Sequence, residues 1–296
     1  MKNFKISVHI PYYTNGDFKK TLRLKNVCKN YLSLSKNVTI FVHSNKKIKS
    51  YNKKIKFITH NLKYQHPYKL TWNCRKLMFL QRNNYDVFIY GEDDIIFSKD
   101  NYNYWLKYKN TCNKNNYNLG FLRVEERSKN NLLYSSDQIE KIKYGLAIKK
   151  HKFAKLESSF NCLWIYEKKE FKEFTKTKYW NFDFKWITIS GVLLIREMSA
   201  VGWHGENMSG QYMDRYRATI LPIKKGKLLK ESFIVHSTNK YANNPSGLHG
   251  SIKVKDLLPK KLIKFVKKNF LIKTKERFFF LFYYYTRFNL KKLLKK

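Results

Sequence analysis

Three consecutive carboxylates, Glu92-Asp93-Asp94, stand between two apolar runs, Val87-Phe88-Ile89-Tyr90 and Ile95-Ile96-Phe97. Adjacent acids embedded in hydrophobic sequence repel one another and lose hydration, so a compensating partner is expected. A divalent cation is the commonest one, because Mg²⁺ or Mn²⁺ takes carboxylate oxygens and shares its coordination with phosphates. The alternative is an ordinary acidic turn at a strand end. A metal held by Glu92 and Asp94 would bridge a diphosphate and stabilise its charge as it leaves. His236, which closes the apolar pair Ile234-Val235, is the candidate third ligand. A structural core histidine would leave the same trace. Lys69, Arg75 and Arg123 are candidates for phosphate oxygens, the arginines bidentately. In a chain with 61 Lys+Arg, an arginine is also readily plain surface.

These residues need elements to position them. Residues 87–90 are β-branched and aromatic, as in a buried strand that runs into the acids. Upstream, strands are expected at 4–13, 38–42 and 55–59, with helices at 22–34 and from Leu70 through Cys74, Leu77 and Met78. Such alternation predicts an α/β fold with a mostly parallel central sheet flanked by helices. Ligands of such sheets bind beyond the carboxyl ends of the strands. His9 to Tyr12, His43 to Asn45 and the acidic triplet all fall at such ends. Downstream the spacing predicts a Tyr/Asn-rich helix near 101–112, a segment at 119–126 and strands at 159–166 and 187–195. A charged helix at 168–174 and a loop at 241–247 complete the expectation.

A chain of 296 residues with 43% hydrophobic content can bury a sizeable core. The formal charge of +40 favours polyanions: nucleic acid, anionic membrane or phosphorylated substrates. Positive charge is densest in residues 252–296, which carry 15 Lys and Arg against two acids. There Leu258, Leu262, Phe265 and Val266 share a helical face opposite Lys260, Lys264, Lys267 and Lys268, and an aromatic run follows at 278–285. That pattern predicts a basic helical tail either on an anionic membrane surface or packed on the main domain. Cys28, Cys74, Cys112 and Cys162 lack metal-ligand spacing and suit a reducing compartment. The first ten residues lack a signal-peptide core and no apolar run is long enough to span a bilayer. The expected place is the cytoplasm or the cytosolic face of a membrane.

Nucleotide-binding and hydrolase signatures such as GxxxxGK[ST], GxGxxG and HExxH are absent. The strand-plus-acid element FIYGEDDIIF resembles the DxD-type motif of GT-A fold glycosyltransferases. HPYKLTW before it, and GFLRVE and HSTNKYANNPSG after it, resemble segments of glycosyltransferase-like proteins with a YxEDDI element. The resemblance covers residues 3–250. It implies one GT-A-like (Rossmann-like) catalytic domain over 1–251, with a donor half to about residue 100 and an acceptor half beyond it. It further implies a nucleotide-diphosphate sugar as donor, Mn²⁺ or Mg²⁺ on the outer acids, and Asp93 facing ribose or sugar. The end of the first strand, His9, Pro11 and Tyr12, would lie beside the nucleotide base. Glu92 departs from the motif, where the first acid is Asp.

A glycan or lipid-linked acceptor would need a general base if the transfer inverts configuration. Glu197 is the first candidate and Glu125 the second. The competing class is a non-enzymatic module that binds nucleic acid or membrane through its charge and interleaved aromatics. Three clustered acids, which would repel phosphate, and the lack of a nucleic-acid fold signature speak against nucleic acid.

Overall fold

The computed structural model describes residues 3–63, 65, 67–156, 158, 160–177, 180, 195–203, 217–245 and 249–265. The first half runs β1 (Ile6–Tyr12), α1 (Phe18–Leu32), β2 (Val38–Ser44), β3 (Ile55–Thr59), a 3-10 turn (Pro67–Lys69), α2 (Leu70–Leu80) and β4 (Val87–Gly91). Then come β5 (Ile95–Ile96), α3 (Lys99–Lys114), β6 (Asn118–Leu119), β7 (Leu122–Arg127), β8 (Leu132–Ser135), β9 (Tyr144–Ile148) and β10 (His151–Lys155). The remainder is β11 (Leu163–Glu167), α4 (Lys168–Thr175), α5 (Ile195–Val201), β12 (Thr219–Lys224), β13 (Lys227–Leu228), β14 (Phe233–His236), α6 (Lys240–Asn243) and β15 (Ile263–Lys264).

The central sheet has the order β11-β4-β1-β2-β3. Three of its four pairings follow the expected α/β logic: β4, β1, β2 and β3 are parallel, and only the edge strand β11 is antiparallel. This is a Rossmann-like α/β fold, with β1 and β4 buried along their whole length because helices cover both faces. Val8, Ile10, Val87 and Ile89 pack with α1 and α3 through Leu24, Val27, Tyr104 and Trp105. On the opposite face Phe88, Tyr90, Trp164 and Tyr166 pack with Met78 of α2 and Phe171 and Phe174 of α4.

Pro11 explains where β4 parts from β1. The Ile6 N–H donates to Asn37 on the β2 side, while the Lys5 carbonyl accepts from Asp86 on the β4 side. Odd-numbered residues of β1 therefore face β4, and Pro11 has no N–H to offer there. The last β1–β4 pair is His9 with Tyr90. Two residues further on, opposite Pro11, the β4 chain is released as Glu92, whose N–H instead reaches Cys162 at 3.2 Å.

A four-stranded sheet, β5-β14-β7-β8, continues from that point. Ile95 of β5 pairs with His236 of β14, and β14 runs parallel to β7. Asn101 in the first turn of α3 locks β14 from the side by donating to the Glu231 and Phe233 carbonyls, both at 2.8 Å. A third sheet, β13-β12-β10-β9-β15 with β6 beside β12, packs on its own apolar cluster around Leu122, Val124, Leu156 and Leu221.

Three expectations change. The basic tail does not begin as a helix at 252: residues 252–265 belong to the body, with Leu257 fully buried and β15 paired to β9. Pro259 breaks the helical spacing of Leu258, Leu262 and Phe265, so Leu258 and Leu262 pack on the third sheet's cluster from irregular chain, and Phe265 meets the rings of Tyr117 and Tyr144. Residues 266–296, which carry the rest of the expected tail, lie outside the described residues. The strand expected at 159–166 starts only at Leu163, because Cys162 has a left-handed φ of 60°. The loop expected at 241–247 opens with the short helix α6. The strand expected at 187–195 lies outside the described residues except Ile195, which begins α5. Among the described residues no helix is long and apolar enough to cross a membrane.

Candidate active site

The three acids occupy the turn between β4 and β5, at the carboxyl end of a buried parallel strand. One oxygen on each carboxylate is buried without a hydrogen bond: Glu92 Oε1, Asp93 Oδ2 and Asp94 Oδ1. Asp93 Oδ2 has an ion pair with Lys20 at 3.4 Å. Lys20 lies in the first turn of α1, where the helix dipole disfavours a cation, so its place serves the acid and not the helix. Burial, then the charge of Asp94, pushes the Glu92 carboxyl up to about 7 against the pull of Arg196 and Arg123. Burial also pushes Asp93 up to about 6, against Lys20. For Asp94 the burial cost is outweighed by the His236 hydrogen bond and charge, and its pKa is lowered.

His236 is the centre of a carboxylate–imidazole–carboxylate bridge. Its Nδ1 is bonded to Glu125, and its Nε2 lies 3.1 Å from Asp94 Oδ2. Burial alone would lower the imidazole pKa; the bonds to Asp94 and Glu125 raise it instead. Glu125 is fully enclosed, and its second oxygen accepts from the Ala242 N–H of α6 at 2.6 Å. The register makes this possible: Val235 pairs with Val124, setting His236 beside Glu125.

Arg123 is committed elsewhere. Its Nε and Nη2 hold Asp137 bidentately at 2.8 and 2.5 Å, and its Nη1 contacts Cys162 Sγ at 2.9 Å. It acts on the acids through its field, lowering both Glu92 and Asp94. Arg75 is also taken up, sandwiched against Trp72 and Trp180 with ring centroids at 4.1 and 5.0 Å. It donates to the Trp180 carbonyl at 2.8 Å and the Ser199 carbonyl at 3.2 Å. The phosphate role expected for Arg75 is therefore replaced by a structural one, because its guanidinium is buried in an aromatic cluster.

Other expected residues divide. His9, Pro11 and Tyr12 are all buried, so none of them offers a face to a nucleotide base; the exposed edge after β1 is Tyr13, Asn15 and Gly16. His9 belongs to an imidazole ladder under the sheet, with Nδ1 3.0 Å from His43 and His43 Nδ1 2.8 Å from His60. Lys69 is half-buried in the 3-10 turn that packs against α5. Glu197 lies on α5 with its carboxylate 4.0 Å from Arg196. Glu125, the second base candidate, is sealed from any acceptor and supports His236 instead.

Arg196 is the residue that sequence reasoning passed over in favour of its neighbour. It draws on Glu92, stacks on Tyr68 at 5.3 Å, and leaves its Nε buried and unpaired. Its sequence signal is only a cation beside Glu197. An open groove of about 1050 Å³ also runs along α2, lined by His60, Asn73, Phe79 and Trp180. None of the three acids lines it.

Among the described residues, no three His, Cys, Asp or Glu side chains form a ready-made metal cage. Glu92, Asp94 and His236 therefore do not stand as three converged ligands, since His236 Nε2 faces Asp94. The acids nevertheless suit a hard cation. Mg²⁺ commonly takes one or two carboxylates and completes its shell with water and substrate phosphates. Glu92 Oε1 and Asp94 Oδ1, buried with no partner, are the kind of donor it needs.

No protein family model matches this chain, and no curated protein is similar to it. Among solved structures, the bifunctional IspDF from Campylobacter jejuni is similar at a TM-score of 0.31 and 12% identity, over 58% of this chain and 43% of that one. The chain thus spans less than half the length of that protein.

Proposed function

We propose that this chain is a metal-dependent glycosyltransferase that moves a sugar from a nucleotide-diphosphate donor to a glycan or lipid-linked acceptor. One observation carries the reading: at the carboxyl end of the buried parallel strand β4, Glu92 and Asp94 each keep a buried, unpartnered oxygen, on either side of Asp93, whose corresponding oxygen has only the ion pair with Lys20. Leaving such groups unpaired costs about 1–3 kcal/mol each, which a fold tolerates where a ligand restores the contacts. The likeness of FIYGEDDIIF to the DxD element supplies the substrate class.

In this reading Glu92 and Asp94 would hold Mg²⁺ or Mn²⁺, whose charge would offset that of a departing diphosphate. Asp93 faces the ribose or sugar, with Lys20 keeping it charged. His236, held by Glu125, orients Asp94 from behind. Glu197 takes the acceptor proton where the transfer inverts configuration.

A donor panel tests the reading. Purified protein is incubated with UDP- and GDP-sugars, with Mn²⁺ or with chelator, and free nucleoside diphosphate is measured. The expected result is cation-dependent release that Asp94→Asn abolishes. Release from no donor, or release indifferent to chelator, would overturn it.

A further inference from the structure

Two groups of opposite charge, one at the end of β4 and one on the helix tied to that strand through Tyr90 and Ser199, each keep a buried atom without a hydrogen bond. Glu92 Oε1 and Arg196 Nε are each unpartnered, although the Arg196 charge is among the main influences on Glu92. A salt bridge between them would satisfy both, so their separation needs a reason. A bare cation would serve the carboxylates and be repelled by the guanidinium. A bare phosphate would serve Arg196 and be repelled by three acids. A phosphate that carries its own divalent cation satisfies both groups at once.

Arg196 is held in place by a buried knot. The Ser199 carbonyl accepts from Arg75 Nη2 and from Trp164 Nε1, both at 3.2 Å. The Ser199 hydroxyl shares a 3.0 Å bond with Tyr90 and donates to the Arg196 carbonyl at 2.6 Å. α2, β11 and β4 thereby all fix one turn of α5. Tyr90 lies two residues before Glu92, so the strand that carries the acids also pins the helix that carries the guanidinium. Tyr68 beneath Arg196 limits its swing.

On the reading given above, we propose that Arg196 is the residue that receives the donor's diphosphate, bound as its complex with a divalent cation. Lys20 pairs with Asp93 from α1, and Arg196 is tied to the strand of the acids from α5, through Ser199 and Tyr90. A two-phosphate anion suits two such cations better than a single phosphate does. Ser199 and Arg75 are positioning residues that act through Arg196.

Calorimetric titration of the full chain with UDP and GDP, and with the matching monophosphates, tests this with and without Mg²⁺. The Arg196 side chain is 42% exposed, so Arg196→Gln and Arg196→Lys leave the core intact. Wild type is expected to bind the diphosphate only with Mg²⁺. Arg196→Gln is expected to weaken diphosphate binding by about 10–100-fold and monophosphate binding by less than about 3-fold, with Arg196→Lys between. Equal diphosphate affinity in wild type and Arg196→Gln overturns the assignment and leaves the wider reading standing. A loss equal for mono- and diphosphate also overturns it, as a general charge effect. No diphosphate binding by wild type under any condition overturns both.

Discussion

The Nδ1 nitrogen of His236 is bonded to Glu125, a carboxylate with no exposed surface on the strand alongside. An imidazole whose Nδ1–H is claimed in this way presents Nε2 in one fixed direction, here toward Asp94. Glu125 therefore shapes the acidic site from behind. Glu125→Gln keeps the volume but loses the charge facing His236. It is expected to lower stability by about 1–3 kcal/mol and divalent-cation affinity by about 10–100-fold. Urea denaturation and cation titration by tryptophan fluorescence read both. Unchanged values would show that the bridge neither supports the fold nor orients Asp94.

The acids are held at the expense of stability. Glu92 and Asp93 have folded-state pKa values raised to about 7 and about 6 by burial. A carboxyl group raised in this way binds its proton more readily folded than unfolded, so stability falls as pH rises from about 4.5 to about 7. Glu92→Gln with Asp93→Asn should therefore raise the melting point at pH 8, by about 1–3 kcal/mol in stability, and give no gain at pH 4. Mg²⁺ should stabilise wild type at pH 8 and leave the double variant unmoved. A double variant less stable than wild type at pH 8 would mean that the carboxylates are satisfied in solution.

The imidazole ladder has the opposite sign. Ser7 donates to Gln81 at 3.3 Å and so accepts from His9 Nε2 at 2.7 Å. That leaves His9 Nδ1 to accept from His43, and His43 Nδ1 to accept from His60. Burial pushes His9 down to about 3, and burial with its imidazole neighbours pushes His43 well below its usual value. Unfolded imidazoles protonate near pH 6.5 while the folded ones stay neutral, so stability falls as pH drops below about 6.5. The slope is about 1.4 kcal/mol per pH unit for each enclosed imidazole. Denaturation at pH 7, 6 and 5 should show that slope, steeper in the Glu92→Gln/Asp93→Asn background, and His9→Gln should remove about one imidazole's share. A slope unchanged by His9→Gln would mean that the ladder protonates in the folded state.

The parallel core was legible because its strands are apolar runs and its helices keep a helical spacing. The third sheet was not. In β10, His151-Lys152-Phe153-Ala154-Lys155, polar residues dominate, and Lys155 is buried with its ammonium donating to the Leu156 carbonyl. Glu125 was misread for a related reason: residues 122–125 are all buried, so no alternation marks which face is sealed. Arg196 could not stand out among so many basic residues. Its unpaired Nε is a three-dimensional fact, set by Ser199 contacts that reach across 35 to 124 positions of sequence. The acidic triplet was visible because charge between apolar runs is conspicuous at any scale.

Gly91, immediately before the triplet, has no room for a side chain. A Cβ there would lie 2.3 Å from the Tyr31 hydroxyl, with every other atom at 3.5 Å or more. That hydroxyl is itself buried without a partner, so one oxygen both forbids alanine and carries a desolvation cost. Three variants separate these effects. Gly91→Ala should cost about 1–3 kcal/mol by overpacking and weaken Mg²⁺ binding by tilting the Glu92 turn. Tyr31→Phe should be neutral or stabilising by up to about 1 kcal/mol, because it removes an unpaired polar group. The double variant should regain most of the stability and cation affinity, with a coupling energy of about 1 kcal/mol or more. Additive effects would place the strain of Gly91→Ala in the backbone and free Tyr31 of any part in setting the acids.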